Sequence, residues 1–242
     1  MSNKNAIIIG ASSGIGRSLA KELSAAGYTL GLTSRRQNLL ESLQKQLPNK
    51  SIFIISDITE YETARKDLKA LIKDLGQIDL IVINSGIGKK NIELAWEAEK
   101  KVVDVNVSGF TAMATLAMEI FINQGYGHLV GISSMASIRG NRRSPAYFAS
   151  KAYVSNYLEG LRQKAVKSKL PIAVTDILPG FVATDLVKGN EEEMFWVATT
   201  EKAAKQIYQA IKKRKSKAYI TKRWRLIAWV LKIVPDFIYL RI

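Results

Sequence analysis

Short apolar runs recur along the chain at Ala6–Ile9, Thr29–Thr33, Ser51–Ser56, Leu80–Ile83, His128–Ser133, Ile172–Ile177 and Lys217–Ile220. They are rich in β-branched residues, and most are apolar at successive positions rather than alternate ones, as in strands buried on both faces. Between them lie stretches with helical spacing of apolar residues, such as Leu39, Leu40, Leu43 and Leu47. Strands that alternate with helices predict βαβ units. The expected architecture is an α/β, doubly wound parallel sheet of about seven strands with helices on both faces. No repeat or low-complexity linker interrupts the alternation, so residues 1–221 read as a single domain.

Residues 222–242 break the pattern. Trp224 to Val234 is apolar almost throughout, Pro235-Asp236 interrupts, and Phe237–Leu240 resumes. Leu226 to Ile242 is 17 residues and contains Lys232, Pro235, Asp236 and Arg241. A spanning helix needs about 20 predominantly apolar residues, so the segment reads as a hydrophobic, amphipathic tail. Two readings stand. It packs on its own domain or a sister subunit, or it lies in a membrane interface with Trp224 and Trp229 beside Lys222, Arg223 and Arg225.

Composition narrows the chemistry. The absence of cysteine excludes disulfides, thiolate zinc sites and cysteine nucleophiles. A single histidine, His128, argues against a multi-histidine metal centre or a histidine triad, and no metal site is expected. His128 itself reads as structural. The net charge is +15, of which +10 falls in residues 201–242, with twelve Lys/Arg against Glu201 and Asp236. Such an end suits an anionic partner, although runs like Lys212-Lys213-Arg214-Lys215 are also what a solvated helix face looks like. Met1-Ser2-Asn3-Lys4-Asn5 leads into the first strand without a signal-peptide layout. A cytoplasmic location is expected, with peripheral contact at the inner face of a membrane as the variant.

After the first strand comes Gly10-Ala11-Ser12-Ser13-Gly14-Ile15-Gly16, followed by the amphipathic run Arg17–Ala26. A glycine-rich turn between strand and helix lets backbone amides approach a phosphate at the helix N-terminus. An acidic residue about 20 positions downstream would bind the adenosine ribose of NAD. Here that region reads Leu32-Thr33-Ser34-Arg35-Arg36, and the nearest acid is Glu41. Two guanidiniums suit a 2′-phosphate, so NADP(H) is expected over NAD(H).

Tyr147 and Lys151 lie four apart on a helix predicted over Pro145–Lys167, hence on one face. An ammonium near a phenol favours the phenolate, which predicts a lowered tyrosine pKa and suits proton delivery to a carbonyl oxygen. Spacing alone means little, since Tyr208 and Lys212 form the same pair. Ser134 separates them: it stands thirteen residues before Tyr147 at a strand's C-terminal end, where open α/β sheets bind ligands. The corresponding residue before Tyr208 is Phe195.

In order, Gly10–Gly16, Asp57, Asn84-Ser85-Gly86, Asn106, Ser134, Tyr147-x-x-x-Lys151 and Pro179-Gly180 closely resemble the short-chain dehydrogenase/reductase family, over about residues 4–221. The resemblance implies a Rossmann-type domain and a catalytic tetrad of Asn106, Ser134, Tyr147 and Lys151. Tyr147 would be the acid–base and Ser134 would orient the carbonyl. Lys151 would bind the nicotinamide ribose and lower the tyrosine pKa, while Asn106 would hold a relay water. Gly10, Ser12, Ser13, Gly14, Ile15 and Gly16 would cradle the cofactor phosphates, with Arg35 and Arg36 on the 2′-phosphate. Asp57 and Ile58 would lie against the adenine, Asn84, Ser85 and Gly86 would flank the cofactor, and Val182 and Thr184 after Pro179-Gly180 would hold the carboxamide. Ile9 and Ile83-Asn84-Ser85 depart from the family's usual residues in ways expected to alter sheet-to-loop hydrogen bonds more than chemistry. The resemblance also implies a homodimer or homotetramer.

The family places a substrate lid after the Pro-Gly turn, here about 185–200, and Met194, Phe195 and Trp196 give it apolar character. Those residues either face an apolar, lipid-like carbonyl or alcohol substrate or merely anchor the lid. Arg139, Arg142 and Arg143, between Ser134 and Tyr147, could attract an anionic substrate or be solvated. The expected activity is NADP(H)-dependent interconversion of a ketone or aldehyde and an alcohol. A nucleotide-sensing protein without turnover and a basic nucleic-acid or membrane binder are the alternatives, and the tail carries no recognisable nucleic-acid module.

Overall fold

The computed structural model describes residues 4–187 and 194–241. Each of the seven apolar runs forms a strand: β1 Lys4–Ile9, β2 Tyr28–Ser34, β3 Ser51–Ile55, β4 Leu80–Ile83, β5 Gly127–Ile132, β6 Ile172–Pro179 and β7 Lys217–Ile220. They make one parallel sheet in the order β3-β2-β1-β4-β5-β6-β7. The order reverses between β1 and β4, which opens a crevice at their C-terminal ends.

Alternation along each strand sorts side chains onto two cores. Ala6 and Ile8 of β1, Leu80 and Val82 of β4, and Val130 and Ile132 of β5 belong to one. Ile7 and Ile9, Ile81 and Ile83, and Leu129 belong to the other. The first is covered by α1 Gly14–Ala25, α2 Gln37–Gln44 and α7 Thr200–Lys212. The second is covered by α3 Tyr61–Leu75, α5 Phe110–Gln124 and α6 Pro145–Ser168. Fully burying each such aliphatic side chain contributes about 1.5–3 kcal/mol. His128 lies buried on β5 against the Thr175 hydroxyl of β6, 2.7 Å away, in the structural place expected of it.

Between β4 and β5, α4 Trp96–Val103 runs through a π turn, Asp104–Gly109, into α5. This stretch is long and apolar enough to cross a membrane by length and composition, yet Phe110, Met113, Leu116 and Phe121 are buried against the sheet. It is a core element. After β7 the tail forms α8 Trp224–Ile233 and a short α9 Asp236–Tyr239.

Candidate active site

β1 delivers the chain to the glycine turn at the sheet's C-terminal edge. The amides of Gly10 and Ala11 donate to the Thr33 carbonyl of β2, fixing the loop beside that strand. Gly14 opens α1 at φ +55°, a left-handed conformation costly for other residues. A Cβ on Gly16 would collide with the Gly10 carbonyl, so the helix closes on the loop only because that atom is missing. Ser13 caps α1 without a side-chain hydrogen bond, and the first turn contains no acid. Its amides are therefore left for an anion. The Ile15 side chain, partly buried, packs against the first core.

Gly10, Ser12 and Ser13 line a cleft with Arg35 and Arg36 from the end of β2, Asp57 and Ile58 from the end of β3, and Asn84, Ser85 and Gly86 from the end of β4. Arg36 reaches back over the loop, donating through Nη2 to Ser12 Oγ at 2.8 Å and Ser13 Oγ at 2.6 Å. Arg35 pairs with Asp57 at 3.4 Å, while Asp57 Oδ1 accepts from the Thr59 amide and hydroxyl at 3.0 and 2.9 Å. Burial pushes the Asp57 carboxyl up, but the Thr59 hydrogen bonds and Arg35 outweigh it and hold the group below its ordinary value. Asn84 Nδ2 donates to the Gly10 carbonyl at 2.7 Å, tying β4 to the turn. Ser34, Ser56, Ile87 and Val105 also line the cleft. No motif marks these four, although Ser34 ends β2 and Ser56 follows β3, at the sheet edge where such folds bind ligands.

Gly86 leads from the cleft to the tetrad. A Cβ placed on it would sit 3.1 Å from Lys151 Nζ and 3.4 Å from Asn106 Oδ1. Lys151 Nζ lies 5.9 Å from the centre of the Tyr147 ring and donates to the Ile132 carbonyl at 3.1 Å. Burial lowers Lys151 to about 8, with the buried Asp176 carboxylate pulling the other way. One expectation is corrected. Tyr147 is raised, not lowered: desolvation dominates, and only the adjacent Ser134 hydroxyl draws it down. Both ends of the Asn106 side chain are hydrogen-bonded across the fold. Its Nδ2 donates to the Ile87 carbonyl at 2.7 Å and Ser150 Oγ at 3.0 Å, and its Oδ1 accepts from the Ile87 amide. The π turn that carries Asn106 aims this amide at the β4 loop and α6 at once.

Ser134 follows β5 and caps a 3₁₀ turn, Met135–Ser137, accepting from the Ala136 amide at 3.1 Å. Gly88 abuts the Tyr147 ring: a Cβ there would sit 2.5 Å from Cδ2. Nothing in its spacing announced that contact.

On the opposite rim, Pro179 ends β6 and Gly180 lies under the Trp224 ring. Thr184 sits beside Gly14 of the phosphate loop. Val182 turns its side chain into the first core, and its bridge to Ala198 uses the neighbouring Phe181 and Ala183 backbone, leaving Val182's own amide outside the pairing. Phe195 and Trp196 stack on and against Trp224, with centroids 5.1 and 6.0 Å away. They anchor the segment to the tail. Residues 188–193 of the expected lid lie outside the described residues. Arg139 is not a free cation at the mouth: Nη1 donates to the Val234 carbonyl at 3.1 Å, and Nη2 pairs with Asp236 at 2.7 Å. Tyr208 packs against the first core, as expected of a chance pair with Lys212. Among the described residues no group of acids and histidine could hold a metal ion.

A crevice with these features at the switch point of a parallel sheet defines a doubly wound, Rossmann-type α/β fold. The profile described as short chain dehydrogenase matches residues 4–195. The chain therefore belongs to the short-chain dehydrogenase/reductase family and is an oxidoreductase of that family. An uncharacterized oxidoreductase of Myxococcus xanthus is 31% identical over 243 residues, covering 98% of this chain and 94% of that protein. One from Mycobacterium tuberculosis is 31% identical, covering 88% and 87%. A family structure from Burkholderia phymatum in complex with NAD superposes with a TM-score of 0.85 at 20% identity, covering 93% and 92%. ElxO with NADP bound gives 0.79 at 22% identity, covering 90% and 96%. Solved neighbours thus carry either nucleotide.

Proposed function

We propose that the protein interconverts a ketone or aldehyde and an alcohol with NADP(H) as the preferred nucleotide. The observation that carries this reading is the continuity of one cleft, from the arginines at the end of β2, past the glycine turn, to Gly86 beside Lys151 and Asn106. The residues fit a dinucleotide bearing a 2′-phosphate. Uncapped α1 amides suit the pyrophosphate, and Arg36, already bridging Ser12 and Ser13, suits the extra phosphate together with Arg35. When bound, the nucleotide supplies or accepts the hydride. Lys151 would hold the ribose hydroxyls. Tyr147 keeps its proton at neutral pH and gives it to the carbonyl oxygen in reduction; solvent then restores it. The Ser134 oxygen accepts from Ala136, and its hydroxyl, which meets the Tyr147 oxygen, would turn its hydrogen to the same substrate oxygen. Met135, which follows Ser134, packs with Phe181 and Trp224 in a buried apolar cluster, and this neighbourhood is the ground for an apolar carbonyl substrate.

The test is fluorescence titration of the purified protein with NADPH and NADH, followed by a screen of apolar ketones for NADPH oxidation. Selective NADPH binding, lost in Arg35→Asp/Arg36→Ala, is expected. Tyr147→Phe should lower turnover by about 10²–10⁴-fold while leaving NADPH binding intact. Preference for NADH would overturn the arginine assignment, and binding of neither nucleotide by folded protein would overturn the reading of the cleft.

A further inference from the structure

The face of the tail turned away from the domain is apolar. On α8, Trp224 and Ala228 are buried, with Ile227 and Leu231 packed beside them, whereas Leu226, Trp229, Val230 and Ile233 are exposed. At about 100° per residue, positions 226, 229, 230 and 233 share one arc opposite 224, 228 and 231. Phe237, Ile238 and Leu240 continue the exposed run. Trp229 is 60%, Phe237 66% and Leu240 81% exposed. Single exposed apolar residues are ordinary, but a contiguous set this large marks a surface that something covers.

Cations frame that face. Arg225 and Lys232, seven residues apart, share a flank of α8, and Lys222, Arg223 and Arg241 bracket its ends. Beyond Arg225 a groove between α7 and β7 is lined by Lys202, Lys205, Lys213, Lys215 and Lys217, with no acidic residue among its described lining. Asp236, the acid of this segment, is already paired with Arg139.

We infer that the outer face of α8 and α9 docks on an anionic lipid membrane surface, with Trp229 and Phe237 inserted and Arg225 and Lys232 at the headgroups. Charge decides among the occupants. A second copy seated on the same face about a two-fold axis would set the two cation groups against each other. A nucleic acid would satisfy the cations but leave Leu226, Val230, Ile233 and Leu240, which have no ring to stack on bases, facing water. An anionic bilayer meets both demands at one depth. α8 has ten residues and spans about 15 Å. That is half of a hydrocarbon core of about 30 Å, so the helix lies on the membrane rather than across it. Its orientation is set in advance: the Arg139 guanidinium holds Val234 and Asp236 and lies 4.3 Å over the Tyr239 ring, while the Tyr239 hydroxyl donates to the Gly140 carbonyl.

The experiment floats the full-length protein with vesicles of phosphatidylcholine alone and with vesicles containing about one third phosphatidylserine. The expected result is selective flotation with the anionic vesicles, weakened by salt. Trp229→Glu/Phe237→Glu, which leaves the buried Trp224 face untouched, should reduce binding at least tenfold (on the order of two lost apolar anchors) with an unchanged thermal transition. Arg225→Gln and Lys232→Gln should each cost about fivefold. Doxyl-labelled lipid should quench tryptophan emission in the wild type and lose that extra quenching in Trp229→Phe. Three results would each overturn the inference: no flotation with either vesicle, flotation indifferent to Trp229→Glu/Phe237→Glu, or a dimer that this double variant dissociates.

Discussion

His128 shows how one buried side chain couples to pH. Burial, aided by the Arg214 charge, pushes it down from 6.5 to about 4, so the folded protein holds it neutral beside Thr175. The unfolded chain takes up a proton near 6.5 that the folded chain refuses until about 4. The stability this neutrality protects is therefore complete above pH 6.5 and is lost as pH falls through that window. Across the window the loss is about 3 kcal/mol, because each tenfold change in proton concentration is worth roughly 1.4 kcal/mol. Urea unfolding of wild type and His128→Asn at pH 7 and pH 4.5 should show a shallower acid loss in the variant. Equal slopes in the two proteins would refute the assignment. At the tetrad the same desolvation works against expectation. Spacing predicts a phenol lowered by Lys151, but in the folded chain Tyr147 is raised and Lys151 itself is depressed.

Among the elements, the strands and helices follow the apolar pattern closely because burial on both faces of a parallel sheet leaves few alternatives. β4 and β7 begin and end where the pattern puts them, and α6 extends only one residue past its expected end. Contacts between elements were hidden. Gly180 lies at the end of β6 and Trp224 starts α8, forty-four residues on, yet the indole covers the glycine so closely that a Cβ has no room. Gly180→Ala should displace Trp224 and loosen α8, with a stability loss of about 1–3 kcal/mol from overpacking. Chemical denaturation with tryptophan emission as the probe reads this directly, and an unshifted Trp224 signal would contradict the packing.

For the whole molecule, Val234, Asp236 and Tyr239 bind the loop after Ser134 and so tie the tail to the candidate active site. The Arg139–Asp236 pair is largely solvated on the acid side, and such a pair contributes about 0–1 kcal/mol. Arg139→Ala should barely move the global thermal transition. It should, however, speed proteolytic nicking between Val234 and Arg241 several-fold, because local opening follows local stability. Cleavage at the wild-type rate would mean that the hydrophobic face of α8 holds the segment unaided.

The amino-acid sequence by itself determined the seven strands and the phosphate turn, because each depends on local periodicity or on spacing within a short stretch. The parallel doubly wound arrangement followed from the alternation of strands and helices, and the family from a resemblance carried by motifs over about residues 4–221. The order of Gly10–Gly16, Ser134, Tyr147 and Lys151 was legible because position along the chain is what a sequence records. Tertiary structure decided what depends on distance across the fold. It committed both Asn106 donors to Ile87 and Ser150 and sent the Val182 side chain into the core. It also split the tail, which the sequence left between two readings, into an inner face on Trp224 and an outer apolar face framed by cations. Helical periodicity states that a helix has faces; which of them meets the domain is fixed only when residues far apart in the chain come into contact.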